Sequence, residues 1–299
     1  MTACLERAGL SCVCAKWTLL FFLAPVWSVA QAGLIASVDN AVLVTNGYPY
    51  EADFVVNLDT IAGLDATNFK GRFFGQSPDS IWVAENGNLN FEGDPSFFPD
   101  NANQTARISP LWDDFILIND ATGTFDNRIV ATYEAGHFLA ISWLNARLAN
   151  ETVAGQPFPS TQRSMQTLWF EGNTSISGFS FLADDIVFSY ISSVPGTDDF
   201  GPINAHVGLD AGDAAAANRQ ALLPGASGSG LVTANDSGLL PWQTDHFVLF
   251  RWNAGMGNYD VSIERLQAAP IPLPASWRIV IVLLPALLLR KHAAKCSAD

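Results

Sequence analysis

Arg72–Gly93 reads RFFGQSPDSIWVAENGNLNFEG, and after a Pro- and Asn-rich loop Ile108–Phe115 reads ISPLWDDF. In the first segment Ile81 and Val83 fall on one pleat face by period two, and Phe74 is expected to join them there. Asn86-Gly87 predicts a two-residue hairpin turn, because both residues tolerate positive φ. Leu89 and Phe91 return on the partner strand, and ISPLWDDF follows as an apolar run ending in two carboxylates.

The rest of the interior repeats this pattern. Phe54–Leu58, Ile129–Tyr133, His137–Trp143, Met165–Phe170, Ile186–Tyr190, Phe247–Trp252 and Tyr259–Ile263 are short and rich in aromatic or β-branched residues. Gly, Asn, Asp and Pro clusters separate them, and Ala135-Gly136 predicts a turn between two of them. Gly212–Leu223 alone has helix-forming composition. Gly225–Gly238 reads as a flexible loop and Ala268–Pro274 as an extended linker. The expected fold class is all-β: a single-domain antiparallel β-sandwich, flanked by an N-terminal signal peptide and a C-terminal hydrophobic helix.

The order of these segments resembles the nidogen-like (NIDO) extracellular domain. The residues that carry the likeness are Phe73, Phe74, Gly75, Asn86, Gly87, Phe91, Ile108, Pro110, Trp112 and Asp114. ISWLNAR (Ile141–Arg147), MQTLWFEG (Met165–Gly172), DIVFSYISS (Asp185–Ser193) and AHVGLDAG (Ala205–Gly212) match later strands in the same order. The resemblance covers about Phe54–Gly212 and implies an interaction module of extracellular proteins.

Both ends carry sorting features. The chain of 299 residues is 49% hydrophobic and 15% charged, with mean hydropathy +0.19. Residues 1–32 read as a signal peptide, with Arg7 and Lys16 before or beside the apolar WTLLFFLAPVWSVA and an A-x-A site at Ala30 and Ala32. The apolar core is short for a membrane span, which argues against an uncleaved anchor. Cys12 and Cys14 precede that core, so the lipoprotein pattern fails.

Residues 33–267 form the expected β domain and 268–299 a C-terminal signal. Pro272-Leu273-Pro274-Ala275 leads into the apolar Ile279–Leu289, followed by a basic stop at Arg290 and Lys291. The arrangement resembles the PEP-CTERM signal of Gram-negative bacteria in a P-L-P-A variant. It implies processing by an exosortase, transient membrane anchoring through the helix, and delivery to the cell surface or extracellular matrix. Leu273 replaces the commoner Glu, Pro285 interrupts the helix, and 11 residues is short of the roughly 20 that span a bilayer. A plain tail anchor is the alternative.

All four cysteines, Cys4, Cys12, Cys14 and Cys296, lie in the terminal segments, so the domain is expected to fold without disulfides. Removing the six basic and two acidic residues of those segments leaves 9 basic against 27 acidic residues, a net charge of −18. That argues strongly against a nucleic-acid-binding face. It fits solubility outside the cell.

Catalytic motifs are lacking: no H-E-x-x-H, P-loop or G-x-S-x-G occurs. His137, His206 and His246 are each expected in a strand, at no metal-ligand spacing. Asp113-Asp114, Asp184-Asp185 and Asp198-Asp199 are adjacent pairs whose members point to opposite faces of a strand, so none alone can flank a sugar as a glycosidase requires. Asp113, Asp114, Asp120 and Asp126 are calcium candidates, with solvated strand-end carboxylates as the alternative. Trp82, Trp112, Trp143, Trp169 and Trp252 lie in strands and are read as core, whereas Trp242 lies in a loop and is a candidate for stacking on sugar. The sequons at Asn103, Asn150, Asn173 and Asn235 are read as chance, given the bacterial sorting signal.

The expectation is therefore a non-enzymatic, exported surface or matrix protein, with extracellular polysaccharide or surface proteins as partners, no nucleic acid and no resident cofactor. A secreted glycan hydrolase or calcium-dependent lectin is the alternative.

Overall fold

The computed structural model describes residues 35–45, 54–91, 106–112, 115–117, 127–148, 152–153, 156–157, 163–192, 205–212, 220–222, 231–232 and 246–266. Strands in chain order are β1 (Val42–Thr45), β2 (Val55–Asn57), β3 (Trp82–Ala84), β4 (Asn88–Asn90), β5 (Arg107–Trp112) and β6 (Phe115–Ile116). There follow β7 (Arg128–Glu134), β8 (Phe138–Leu148), β9 (Thr152–Val153), β10 (Gln156–Pro157), β11 (Arg163–Phe170), β12 (Thr174–Ile176) and β13 (Phe179–Phe181). The last are β14 (Ile186–Ser192), β15 (Ala205–Asp210), β16 (Gln220–Leu222), β17 (Leu231–Val232), β18 (His246–Asn253) and β19 (Asn258–Arg265). Helix is confined, among the described residues, to two three-residue 3-10 turns at Leu58–Thr60 and Ala66–Asn68.

The all-β expectation holds. One sheet runs β1-β7-β8-β11-β14-β18-β19, with β6 also on β8, and the other runs β16-β15-β5-β4-β3-β2, with β17 on β15. Their pairings are antiparallel throughout. The inner faces share one core. Val83, Leu89 and Ile108 come from the smaller sheet; Ile141, Trp143, Trp169, Phe188 and Phe250 come from the larger. Hydrogen bonds also cross the core, from Trp143 Nε1 to the Ala84 carbonyl (2.9 Å) and from the Tyr190 hydroxyl to the Pro110 carbonyl (2.6 Å). Each satisfies a polar group that burial would otherwise penalise.

The larger sheet is covered on its other face as well. Phe138, Leu168, Phe170, Val187, Phe247 and Leu249 form a second cluster with Ile35, Ala36 and Phe181. The hairpin β12–β13 folds back over this face: Phe181 stacks on Phe170 at 4.5 Å and Phe179 meets Phe247 edge-on at 4.9 Å. Burial on both faces explains why Phe247–Phe250 is a continuous apolar run rather than an alternating one.

Several local expectations change. Ala84 pairs with Asn88, so the first hairpin closes through three residues, Glu85-Asn86-Gly87, with Gly87 at φ +77°. That is the three-residue loop with a left-handed third position, not a two-residue turn. Phe74 enters the same core as Ile81 and Val83, but from a tight turn, Phe73–Gln76, with Phe74 at φ +48° and Gly75 at φ +80°. Gln220–Leu222, within the stretch expected to be helical, pairs with Gly208–Asp210 as a strand. Leu231–Val232, within the expected loop, pairs with Ala205 and His206. Cross-strand pairing overrode local composition in both places.

Thr167 gives a direct test of core polarity. It lies fully buried on β11 between Met165 and Trp169, and its hydroxyl has no hydrogen-bond partner. Thr167→Val keeps the shape and removes the unpaired group. It is expected to stabilise the fold by about 1 kcal/mol, read as a higher urea midpoint at unchanged slope.

Candidate functional site

The sequence Gln166 sits on β11 with its side chain on the outer face of the larger sheet, among apolar neighbours. Both ends of its amide are engaged. Oε1 accepts the Ala36 amide at 2.9 Å, and Nε2 donates to the Ala36 carbonyl (3.1 Å) and to Ser142 Oγ (2.9 Å). The side chain therefore pairs with Ala36 as another strand's backbone would, and holds residues 35–37 against the sheet. Beyond this strap the hairpin β12–β13 turns through Ser177 (φ +53°) and Gly178 (φ +81°), a type I′ pattern.

Strap, hairpin and the β7–β8 corner leave a groove of about 420 Å³ between them. Ile35, Phe138 and Ile176 are part of its apolar lining, and Asn40, Thr132 and Glu134 part of its polar lining. Ser37, Ser175 and Ser177 add hydroxyls. Ser37 is engaged with Asp39 and Ser175 with Ser180. Asn40 and Glu134 are exposed and Thr132 half-buried. Next to the groove, Glu171 accepts from the Tyr133 hydroxyl and from the amides of Lys70 and Gly136, which ties the β7–β8 loop down. Burial, then the bond to Glu171, pushes the Tyr133 hydroxyl up to about 12.

The acidic pair Asp184-Asp185 is the most buried carboxylate pair among the described residues. Asp184, at φ +69°, accepts the Arg72 amide (2.8 Å) and binds the guanidinium through Oδ2 at 3.0 and 2.7 Å. That hydrogen bond, with the charge behind it, raises the Arg72 pKa further. Asp185 accepts the amides of Leu182 (2.9 Å) and Trp252 (3.3 Å) and the Arg251 Nε (3.3 Å). Desolvation dominates and raises the Asp185 pKa, although the three donors pull it down. These carboxylates anchor the FFG turn and β18 to the β13–β14 loop. Their acceptor positions are filled from within the fold, which leaves neither placed as a free acid or base.

His137 lies in the loop between β7 and β8, not in a strand, with Nδ1 3.1 Å from Thr174 Oγ1. His206 is in β15 and His246 opens β18. Trp143 and Trp169 are fully buried and Trp112 nearly so, with the Arg107 guanidinium 4.0 Å from its ring centre. Trp252 and Trp82 are half-buried, Trp252 against Phe74 and Tyr259. Trp242, Asp113, Asp114, Asp120, Asp126 and Asp198-Asp199 lie outside the described residues, as do Ala30, Ala32, Pro272–Ala275, Arg290 and Lys291. Among the described residues no group of three or more His, Cys, Asp or Glu side chains is placed to hold a metal ion.

Sequence reasoning missed the groove residues. The hydroxyl-rich Asn173–Gly178 run, with its Ser-Gly turn, was the one local signal, and its first three residues are a sequon read as chance. Thr132 and Glu134 carry no signal, since they are outward positions of an ordinary strand. Comparison of the chain with protein-family models, with curated proteins and with solved structures finds no match.

Proposed function

We propose that this chain is an exported, non-enzymatic binding protein that works at the surface or in the extracellular matrix of a Gram-negative bacterium. Its partners in this reading are extracellular polysaccharide or other surface proteins. The observation that carries it is the division of labour among polar groups. The buried carboxylates Asp184 and Asp185 are consumed by the fold, whereas Asn40, Thr132 and Glu134 line a groove at the surface. Such a groove favours recognition over bond cleavage, which needs a positioned acid, base or nucleophile.

The terminal segments supply the address. A signal peptide ending at Ala32 exports the chain. Pro272–Ala275, the apolar segment and Arg290-Lys291 present it to an exosortase while the helix holds it in the inner membrane. Retention in a matrix then raises local concentration, so that weak contacts suffice.

Intact mass of the protein recovered from the producing cell, fraction by fraction, tests the address. The expected species begins at Gly33 and ends near Pro274 in the outer or matrix fraction. A species that retains Arg290–Asp299 in the inner membrane overturns the matrix assignment. Turnover of any member of a glycan panel overturns the non-enzymatic assignment.

A further inference from the structure

Resting on the reading of a matrix-binding protein, we infer that the groove between the 35–37 strap, the β7–β8 corner and the β12–β13 turn takes an uncharged, hydroxyl-rich saccharide. Its volume, about 420 Å³, lies within the range of small-ligand sites.

Three properties of the lining select this chemistry. First, polar and apolar groups share a small concavity. Ile35, Phe138 and Ile176 offer apolar surface for the C–H face of a sugar ring, while Asn40, Thr132 and Ser177 offer groups that both donate and accept. A hydroxyl-bearing ligand is the class that matches bidirectional partners. Second, among the described residues Glu134 is the one ionisable group in the lining, with no cationic side chain beside it there. A carboxylate accepts strongly from sugar hydroxyls. It also repels uronate, sulfate or phosphate, on a domain that already carries net negative charge. Third, Ser177 occupies a left-handed position that Gly, Asn or Asp would fill with less strain. Gly178 beside it, at φ +81° with open space around it, supplies the turn's other left-handed position without strain. Strain kept at a ligand-facing position is a pattern of binding sites.

The test uses the chain purified as its cell delivers it, titrated calorimetrically with neutral gluco- and galacto-oligosaccharides and with a polyuronate of similar length. Binding of at least one neutral saccharide is expected, with the polyuronate weaker. Thr132→Val removes one hydroxyl and keeps the strand shape. It is expected to weaken neutral binding about three- to tenfold, the worth of one hydrogen bond. Ser177→Gly is expected to weaken binding by a similar factor while the thermal midpoint stays or rises, a pairing that a merely structural serine would not give. No neutral saccharide bound at millimolar concentration overturns the inference, as does affinity unchanged in both variants or a preference for the polyuronate. In each of those cases recovery of the processed chain in the matrix fraction leaves the surface reading standing, so the two failures are distinguishable.

Discussion

Replacing Gly87 by alanine is expected to cost about 4 kcal/mol or more and to leave a chain that is barely folded at 37 °C. A Cβ at this position would lie 2.0 Å from the Leu111 carbonyl oxygen and 2.7 Å from Met165 Cε. The Leu111 contact is backbone, which cannot rotate away, and Met165 belongs to the opposite sheet. The left-handed φ of +77° adds its own penalty of about 1 to 2 kcal/mol. Gly178→Ala is the control. Its φ is +81°, but nothing lies within 4 Å of the added carbon, so only the conformational penalty of about 1 kcal/mol applies. The difference between the two variants, read from urea midpoints, isolates the close approach of the hairpin to its neighbours. Equal losses would mean that backbone conformation alone demands glycine at both turns.

Asp185→Ala is expected to lower stability by about 3 kcal/mol, or about 6 to 12 °C in thermal midpoint. Little of this comes from the ion pair, because the Arg251 side chain is 41% exposed and rehydrates when the carboxylate is lost. The cost lies in the amides of Leu182 and Trp252, which lose their acceptor. Asp185→Asn keeps one acceptor and removes a charge whose burial is unfavourable, so it should lose less. Desolvation raises the folded-state pKa of Asp185. The folded state thus favours the protonated form, and this group's contribution is greatest below its ordinary pKa. That contribution declines as pH rises from about 3.8 through the raised value. The deficit of Asp185→Asn relative to the parent should therefore narrow as pH rises through that window. A deficit that widens over the same range would show that the Arg251 interaction, not desolvation, governs the site.

The strands were legible because their composition is stark. Phe247–Trp252 and Met165–Phe170 carry so many aromatic and branched residues that only a buried strand accommodates them. The Asn-Gly pair placed the first hairpin to within one residue, and the misjudged loop length followed from a rule that favours two-residue turns. Gln220–Leu222 and Leu231–Val232 were misread for the opposite reason: each is a short segment whose strand state comes from pairing with β15, and neither carries the pattern itself. The groove was illegible for a related reason. Its lining comes from residues 35–40, 132–138 and 175–177, three stretches that are far apart in the chain, and exposed Asn, Thr, Glu and Ser look alike wherever they occur.

The chain's own order of residues thus determined the all-β class, the position of most strands and the disulfide-free composition of the domain, because these depend on local pattern and on counts. Tertiary structure decided the rest. It made Gly87 irreplaceable by bringing Leu111 and Met165 against it. It turned Gln166 into a clamp on a backbone 130 residues earlier. It also spent Asp184 and Asp185 on the fold while leaving Thr132 and Glu134 to face a groove. Each of these is a matter of which distant atoms meet, and proximity across the chain is set only when the two sheets close on their common core.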